Sequence, residues 1–318
     1  MNLELRPEER GGTMANANGL PPVDIIGVPI ELGAGRRGAQ LGPDVVRAAG
    51  LQRFLESLRY TVRDRGNIEV REPASDVAGG AGRPRHLDLV RDACAELADS
   101  VATAMRSGAF PVILGGDHSL AIGVLAGIAR VKGPQGVIWI DAHADLNTPE
   151  TSPTGNIHGM PMAVALGYAA KYFPPPVFPA PSVGAAHCVF VGLRDLDPGE
   201  KRLLHSRSLT AFTMSDIDRI GMGKVMERAM EIAADGPASV HVSLDIDSLD
   251  PVTAPGTGTP VPGGLSYREA HLAMELIFER GIAHSLEVAE VNPILDEGTV
   301  TARVAMELIC SALGRTIL

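Results

Sequence analysis

Aromatic rings are scarce in this chain: one Trp, four Tyr and seven Phe among 318 residues. A surface that stacks nucleic-acid bases needs several rings, so that class is implausible here. An excess of positive charge is also missing. Lys and Arg number 28 against 38 Asp and Glu, a formal net charge of −10. Phosphate backbones and anionic membranes reward Lys and Arg, so neither nucleic acid nor a membrane surface fits as partner. A cationic ligand or a metal ion remains open. Cysteines are few. Cys94, Cys188 and Cys310 are odd in number, far apart and set in apolar stretches, with no zinc-finger or redox spacing. They read as buried free thiols of a reducing compartment. No apolar run approaches the roughly 20 residues that a membrane span requires.

Residues 1–20 lack the apolar stretch of a signal peptide. They carry Glu4, Glu8 and Glu9 beside Arg6 and Arg10, too acidic a mixture for a transit peptide. The expectation is a flexible polar tail, partly an over-long start ahead of Met14, on a cytoplasmic protein. Residues 21–318 are expected to form one large domain, since the length suits a single sheet-centred unit better than two.

Short β-branched runs recur at Val23–Val28, Phe110–Leu114, Val137–Ile140, Cys188–Val191, Ser239–Leu244 and Ser285–Val291. Helical patterns lie between several of them. Val90, Cys94, Leu97, Val101 and Met105 recur at the spacing of one helix face. Ser266 and Glu269 form a capping box ahead of Ala270–Arg280, and Gly281 closes that helix. Val225–Ala234 and Thr301–Leu313 also read as helices. Strands alternating with helices predict an α/β domain with a central, mostly parallel sheet and helices on both faces. The Pro-rich stretch Pro174–Pro181 reads as a connection within that domain. Gly33-Ala34-Gly35-Arg36-Arg37-Gly38 matches a dinucleotide fingerprint by letter. Gly42-Pro43 interrupts, so a helix is expected to start only near Asp44, and a plain glycine-rich loop atop the first strand is the better reading.

In such folds ligands bind beyond the carboxyl ends of the strands. Three strand ends there carry acid and imidazole: Gly115-Gly116-Asp117-His118-Ser119, Asp141-Ala142-His143-Ala144-Asp145 and Asp245-Ile246-Asp247. Singly, each is an ordinary turn or cap. Residues spaced by two share one face of an extended strand end, so Asp141, His143 and Asp145 are expected to point together, as are Asp245 and Asp247. Crowded carboxylates raise one another's pKa, a cost that a divalent cation relieves. With His118 the candidate ligands number six: His118, Asp141, His143, Asp145, Asp245 and Asp247. That set is too large for one tetrahedral zinc and lacks thiolate. It suits two hard or borderline ions, with Mn²⁺ a natural choice, able to share a water and make it hydroxide near neutral pH.

On Gly115–Ser119, Asp141–Asp145 and Ser243–Pro251 the chain resembles the ureohydrolases, the arginase and agmatinase family, from about Ile25 to about Gly314. Asn147-Thr148-Pro149, Thr154-Gly155-Asn156-Ile157-His158-Gly159, Gly192-Leu193-Arg194-Asp195-Leu196-Asp197-Pro198-Gly199-Glu200, Gly256-Thr257-Gly258-Thr259-Pro260 and Glu290-Val291-Asn292-Pro293 are similar to the arginase branch. The resemblance implies an eight-stranded parallel sheet and two Mn²⁺, with Co²⁺ or Fe²⁺ as other choices. It implies hydrolysis of the guanidinium of L-arginine to urea and L-ornithine through a metal-bridging hydroxide. By matched position, His118, Asp141, Asp145 and Asp247 would hold one side or the bridge of the ion pair. His143 and Asp245 would complete it, with Asp141 and Asp245 bridging. Asp145 would relay a proton, His158 would shuttle protons to solvent, and Glu290 would pair with the guanidinium, helped by Thr259. Asn147, Thr154 and Asn156 would hold the substrate carboxylate, and Asp197 and Glu200 its ammonium.

The family pattern has departures. Thr154 stands where Ser is usual. Ser248 replaces a common Gly, which predicts slight backbone strain if that Gly served a special angle. Val300 stands where many arginases carry an Arg that helps assembly of the homo-oligomer, a trimer or hexamer by resemblance. Three rival readings accompany the arginase one. They are a sister enzyme acting on agmatine or guanidinobutyrate, a non-enzymatic metal-binding assembly protein of the same fold, and a mononuclear zinc deacylase on a related α/β fold.

Overall fold

A computed structural model describes residues 19–75 and 79–317. Apart from Gly19 and Leu20, the polar tail expected over residues 1–20 lies outside them. The strands are β1 (Val23–Val28), β2 (Val62–Asn67), β3 (Phe110–Gly115), β4 (Gln135–Ile140), β5 (Val183–Leu193), β6 (Thr210–Thr213), β7 (Val240–Asp245) and β8 (Ala283–Ala289). They form one sheet in the order β2-β1-β3-β8-β7-β4-β5-β6, parallel at every pairing. The helices are α1 (Gly42–Ala48), α2 (Leu51–Ser57), α3 (Leu87–Arg106), α4 (Ala121–Lys132), α5 (Pro161–Ala165), α6 (Pro198–Ser206), α7 (Met214–Ile220), α8 (Met222–Ala234), α9 (Tyr267–Arg280) and α10 (Val300–Ala312).

Both sheet faces are covered, as expected for a parallel sheet. Ile138, Ile140, Val242, Leu244, Leu286 and Val288 face one way and pack on α8, α9 and α10. Ile26, Val28 and Ile113 face the other way onto α3 and α4, and Val137, Trp139 and Phe190 onto α4 and α5. Burial on both faces explains why these strands read as continuous apolar runs.

Two strands escaped the apolar-run criterion, and both are sheet edges. β6 is half-buried throughout, and β2 reads Val-Arg-Asp-Arg-Gly-Asn. An edge strand has one neighbour and need not be apolar. β2 is held by charge instead. Arg63 and Arg65, two residues apart on one face, both donate to the buried carboxylate of Asp24 in β1.

α3 buries the expected Val90, Cys94, Leu97, Val101 and Met105. α4 is buried on nearly every side, so it has no polar face and gives no periodic signal. The helix expected near Asp44 begins at Gly42, because Pro43 in a first turn needs no N–H partner. α9 has the expected ends: Ser266 accepts from the Glu269 N–H, Glu269 returns a bond to the Ser266 backbone, and Gly281 is left-handed at φ 64°.

Replacing Ser266 by Ala removes one reciprocal cap. We expect a loss of about 1 kcal/mol in stability, read as a lower midpoint in denaturant unfolding. An unchanged midpoint would show that the cap contributes nothing.

Candidate metal centre

The four central strands β3, β8, β7 and β4 end side by side, and each end delivers acid or imidazole. After β3, Asp117 caps the turn His118–Leu120, accepting from the backbone N–H of Ser119 at 3.0 Å and of Gly33 at 2.7 Å. A Cβ on Gly33 would lie 2.8 Å from that carboxylate, so only glycine allows the approach. The glycine-rich loop therefore braces the His118 turn.

After β4, Asp141 accepts from His143 N at 2.7 Å and from Trp139 Nε1 at 3.0 Å. After β7, Asp245 accepts from Asp247 N at 2.8 Å and so caps the turn Ile246–Ser248. The expected extended alternation does not hold at either end. Asp141 and Asp245 tie the backbone behind them into turns, and Asp145 adopts a left-handed φ of 50°. The side chains converge through bends rather than through a shared strand face.

His118 Nδ1 lies 3.4 Å from Asp141, 3.2 Å from Asp145 and 3.0 Å from Asp245. It is fully buried yet makes no aligned hydrogen bond. A buried nitrogen facing three carboxylates without a partner is the donor set of a cation site. Among the described residues, two groups meet closely enough to hold an ion: His118, Asp141 and Asp245, and Asp141, His143 and Asp247. Asp141 is common to both. Asp247 was expected with His118, but it sits 3.1 Å from His143 Nδ1. The turn after β7 carries it towards the end of β4, where Ala142 N also donates to it.

Glu290 follows β8 with φ 64°. Its Oε1 accepts from His118 N at 2.8 Å and contacts His158 Nδ1 at 2.9 Å. Thr259, expected to orient Glu290, donates instead to Asp247 Oδ2 at 2.9 Å. Asn147 Nδ2 donates to Asp197 at 2.6 Å, and Asp197 caps α6 in a capping box with Glu200. Glu200 is buried and also accepts from Leu146 N at 3.3 Å. Thr154 accepts from Asn156 N at 3.2 Å. A cavity of about 240 Å³ joins His143, Asp145, Asn147, His158, Asp197 and Glu200. A second lobe, lined by His143, His158 and Thr259 as well, adds Glu290. Ser248 is unstrained, because its φ is not positive and its hydroxyl donates to Asp245 O at 2.6 Å.

The charges explain the titration pattern. Burial and the neighbouring Asp141 raise Asp145 to about 6. Burial, with Asp247 and Asp141, holds Asp245 well above the carboxylate range. Burial raises Glu200 to about 7. Burial pushes His158 down, but Glu290 outweighs it and lifts the imidazole to about 9. Asp141 stays low despite burial, because the His118 and His143 imidazoles lie beside it.

Sequence reasoning gave no role to Arg194. Its guanidinium donates to the carbonyls of Asp247 (2.6 Å), Ser248 (3.0 Å), Leu249 (3.2 Å) and Val261 (2.8 Å), and so pins the Asp247 turn. Ser243, which opens the third motif, and His241 and Glu287 were also given no role. A polar residue inside a buried run of a strand was the available signal.

Comparison with known proteins gives a consistent picture. The model of the Arginase family matches residues 21–314. The curated arginase of Bacillus caldovelox is 46% identical over 299 residues, 94% of this chain and 100% of that protein. The solved structure of the Bacillus caldovelox arginase superposes with a TM-score of 0.88 at 46% identity, covering 93% of this chain and 99% of the other. A solved hypothetical agmatinase from Burkholderia thailandensis gives 0.71 at 26% identity, covering 92% and 84%.

Removal of divalent ions should lower the melting temperature, and more so as pH rises. A carboxyl whose folded pKa is raised contributes stability that is complete below its unfolded value. That contribution is lost as pH climbs through the folded value, here about 6 at Asp145. A bound cation displaces those protons and removes the loss. Melting of chelated and Mn²⁺-loaded protein at pH 5.5 and 8 checks this; an equal gap at both would refute it.

Proposed function

The chain belongs to the arginase family and is a hydrolase, and from that premise we propose that it hydrolyses the guanidinium of L-arginine to urea and L-ornithine. The observation that carries this reading is the cleft that joins the carboxylate and imidazole cluster at one end to Asn147, Asp197 and Glu200 at the other. A guanidinium at the cluster leaves the amino-acid end of arginine at the polar rim. The arginase matches at 46% identity and the agmatinase at 26% also favour arginine over agmatine.

His118, Asp141, Asp145 and Asp245 would hold one ion, and His143 with Asp247 and the shared Asp141 a second. We propose Mn²⁺ for both, because mixed carboxylate and imidazole donors without thiolate suit it. Such a pair would supply a hydroxide nucleophile near neutral pH and would neutralise the carboxylates. Glu290 positions the guanidinium. Its Oε1 is held by the His118 backbone and His158, while Oε2 faces Gly258. A carboxylate fixed in this way offers its free oxygen to the guanidinium in a charge-assisted bond. Asp145, which faces the cleft beside the cluster, would take a proton from the nucleophile and pass it to the leaving amine. His158, half-buried at the cleft wall, exchanges protons with solvent. Asn147, Thr154 and Asn156 receive the α-carboxylate, and Asp197 and Glu200 the ammonium. Thr259 steadies Asp247 by its 2.9 Å bond.

A cytoplasmic location agrees with three buried free thiols and with no helix, among the described residues, long and apolar enough to cross a membrane. A homo-oligomer, trimeric or hexameric by resemblance, would find an apolar contact in exposed Ile294 and Leu295 ahead of α10, while Val300 departs from the Arg that helps assembly in many arginases.

Urea release with Mn²⁺ should be at least about 100-fold faster in kcat/KM from L-arginine than from agmatine, because agmatine leaves the carboxylate donors unpaired. Equal turnover would overturn the arginine assignment. Asn147→Ala should cost about 10–100-fold on arginine, mainly in KM, and little on agmatine. An equal loss on both would remove Asn147 from carboxylate recognition.

A further inference from the structure

Behind the cation site runs a buried polar row that neither the candidate ligands nor the cleft residues explain. β7 and β8 pair His241 with Ser285 and Ser243 with Glu287, and β4 sets Trp139 against Ser243. Residues paired in a ladder point to the same face, so Trp139, Ser243 and Glu287 form one row across the central strands. His118 lies over that row, its ring stacked on Trp139 with centroids 4.2 Å apart. Each of these side chains is fully buried. Polar groups at such a depth are costly unless paired.

We propose that Glu287, acting through Ser243, is a positioning residue that fixes the tautomer of His118 and so presents its Nδ1 to a divalent cation. Ser243 Oγ donates to Glu287 Oε1 at 2.7 Å. That uses the only hydroxyl proton. The 2.8 Å contact between Ser243 Oγ and His118 Nε2 is then donated by the imidazole. With the proton held at Nε2, Nδ1 turns its lone pair towards Asp141, Asp145 and Asp245. A lone pair facing three carboxylates is repulsive until a cation lies between them. The row is a carboxylate–histidine–metal arrangement lengthened by one hydroxyl. His241 closes its far end, with Nε2 3.4 Å from Glu287 and Nδ1 2.8 Å from Ser285 Oγ.

This assignment rests on the divalent-cation reading of the site. Trp139 is the only tryptophan, so its fluorescence reports on an ion at His118. Chelated wild type, Glu287→Gln and Ser243→Ala are titrated with Mn²⁺, following that fluorescence and counting bound ions by metal analysis. In both variants the ion sensed by Trp139 should bind about 10–100-fold more weakly, while the other ion binds as in wild type. Unchanged binding in both variants overturns the relay. So does an equal weakening of both ions that tracks a lower melting temperature of the chelated protein. If Glu287→Gln does not fold, Ser243→Ala, which removes only the hydroxyl, decides by the same readout. Wild type that binds no Mn²⁺ would refute the cation reading itself, which separates the two failures.

Discussion

Four aspartates and two imidazoles converge at the carboxyl ends of the central strands, and among the described residues no lysine or arginine pairs with them. Among the described residues, the ion-pair partners of Asp141, Asp145, Asp245 and Asp247 are His118 and His143 alone. Arg194 lies close enough to contribute, yet it spends its donors on backbone carbonyls. Asp145 and Asp245 answer this crowded charge pattern with raised pKa values, and a bound cation would relieve it. Burial makes the pattern more demanding, because buried ions lose hydration and repel over longer range.

The surrounding structure is arranged to keep that pattern rigid. Asp141 and Asp245 each cap the turn that follows them, so these candidate ligands also fix their own backbone. Asp117 and Gly33 brace the His118 turn, Arg194 braces the Asp247 turn, and the Glu290 carboxylate reaches back to the His118 N–H. Beneath them the apolar layers on both sheet faces supply the burial that sustains an electrostatically costly end. Because every strand is parallel, all their carboxyl ends lie at one edge of the sheet, which is why separate loops meet there.

The cleft follows from the same geometry. β5 ends beside β4, so its continuation through Arg194 to Asp197 runs past the cluster and places the α6 capping box at the rim. Asp197 and Glu200 are anchored by helix-capping bonds that would exist without any substrate. A cap that also lines a cleft is a fixed acidic surface with little left to reorganise on binding.

Much of this was legible in the chain itself. Buried parallel strands appear as apolar runs, the capping box at Ser266 and Glu269 is local, and the acid-imidazole motifs follow the runs directly. Edge strands β2 and β6 were not legible, since β2 depends on Asp24 of β1 meeting Arg63 and Arg65. The partners of Asp247 and Thr259 were misassigned, because their directions are set by a turn between strands. Glu287 and Ser243 looked like stray polar residues until strand register set them in one row under His118. The sequence by itself determined which chemistry the strand ends carry, because residue type and near spacing are local properties. Only the tertiary structure decided which groups meet, because contacts across a sheet depend on pairing and register between segments far apart in the chain.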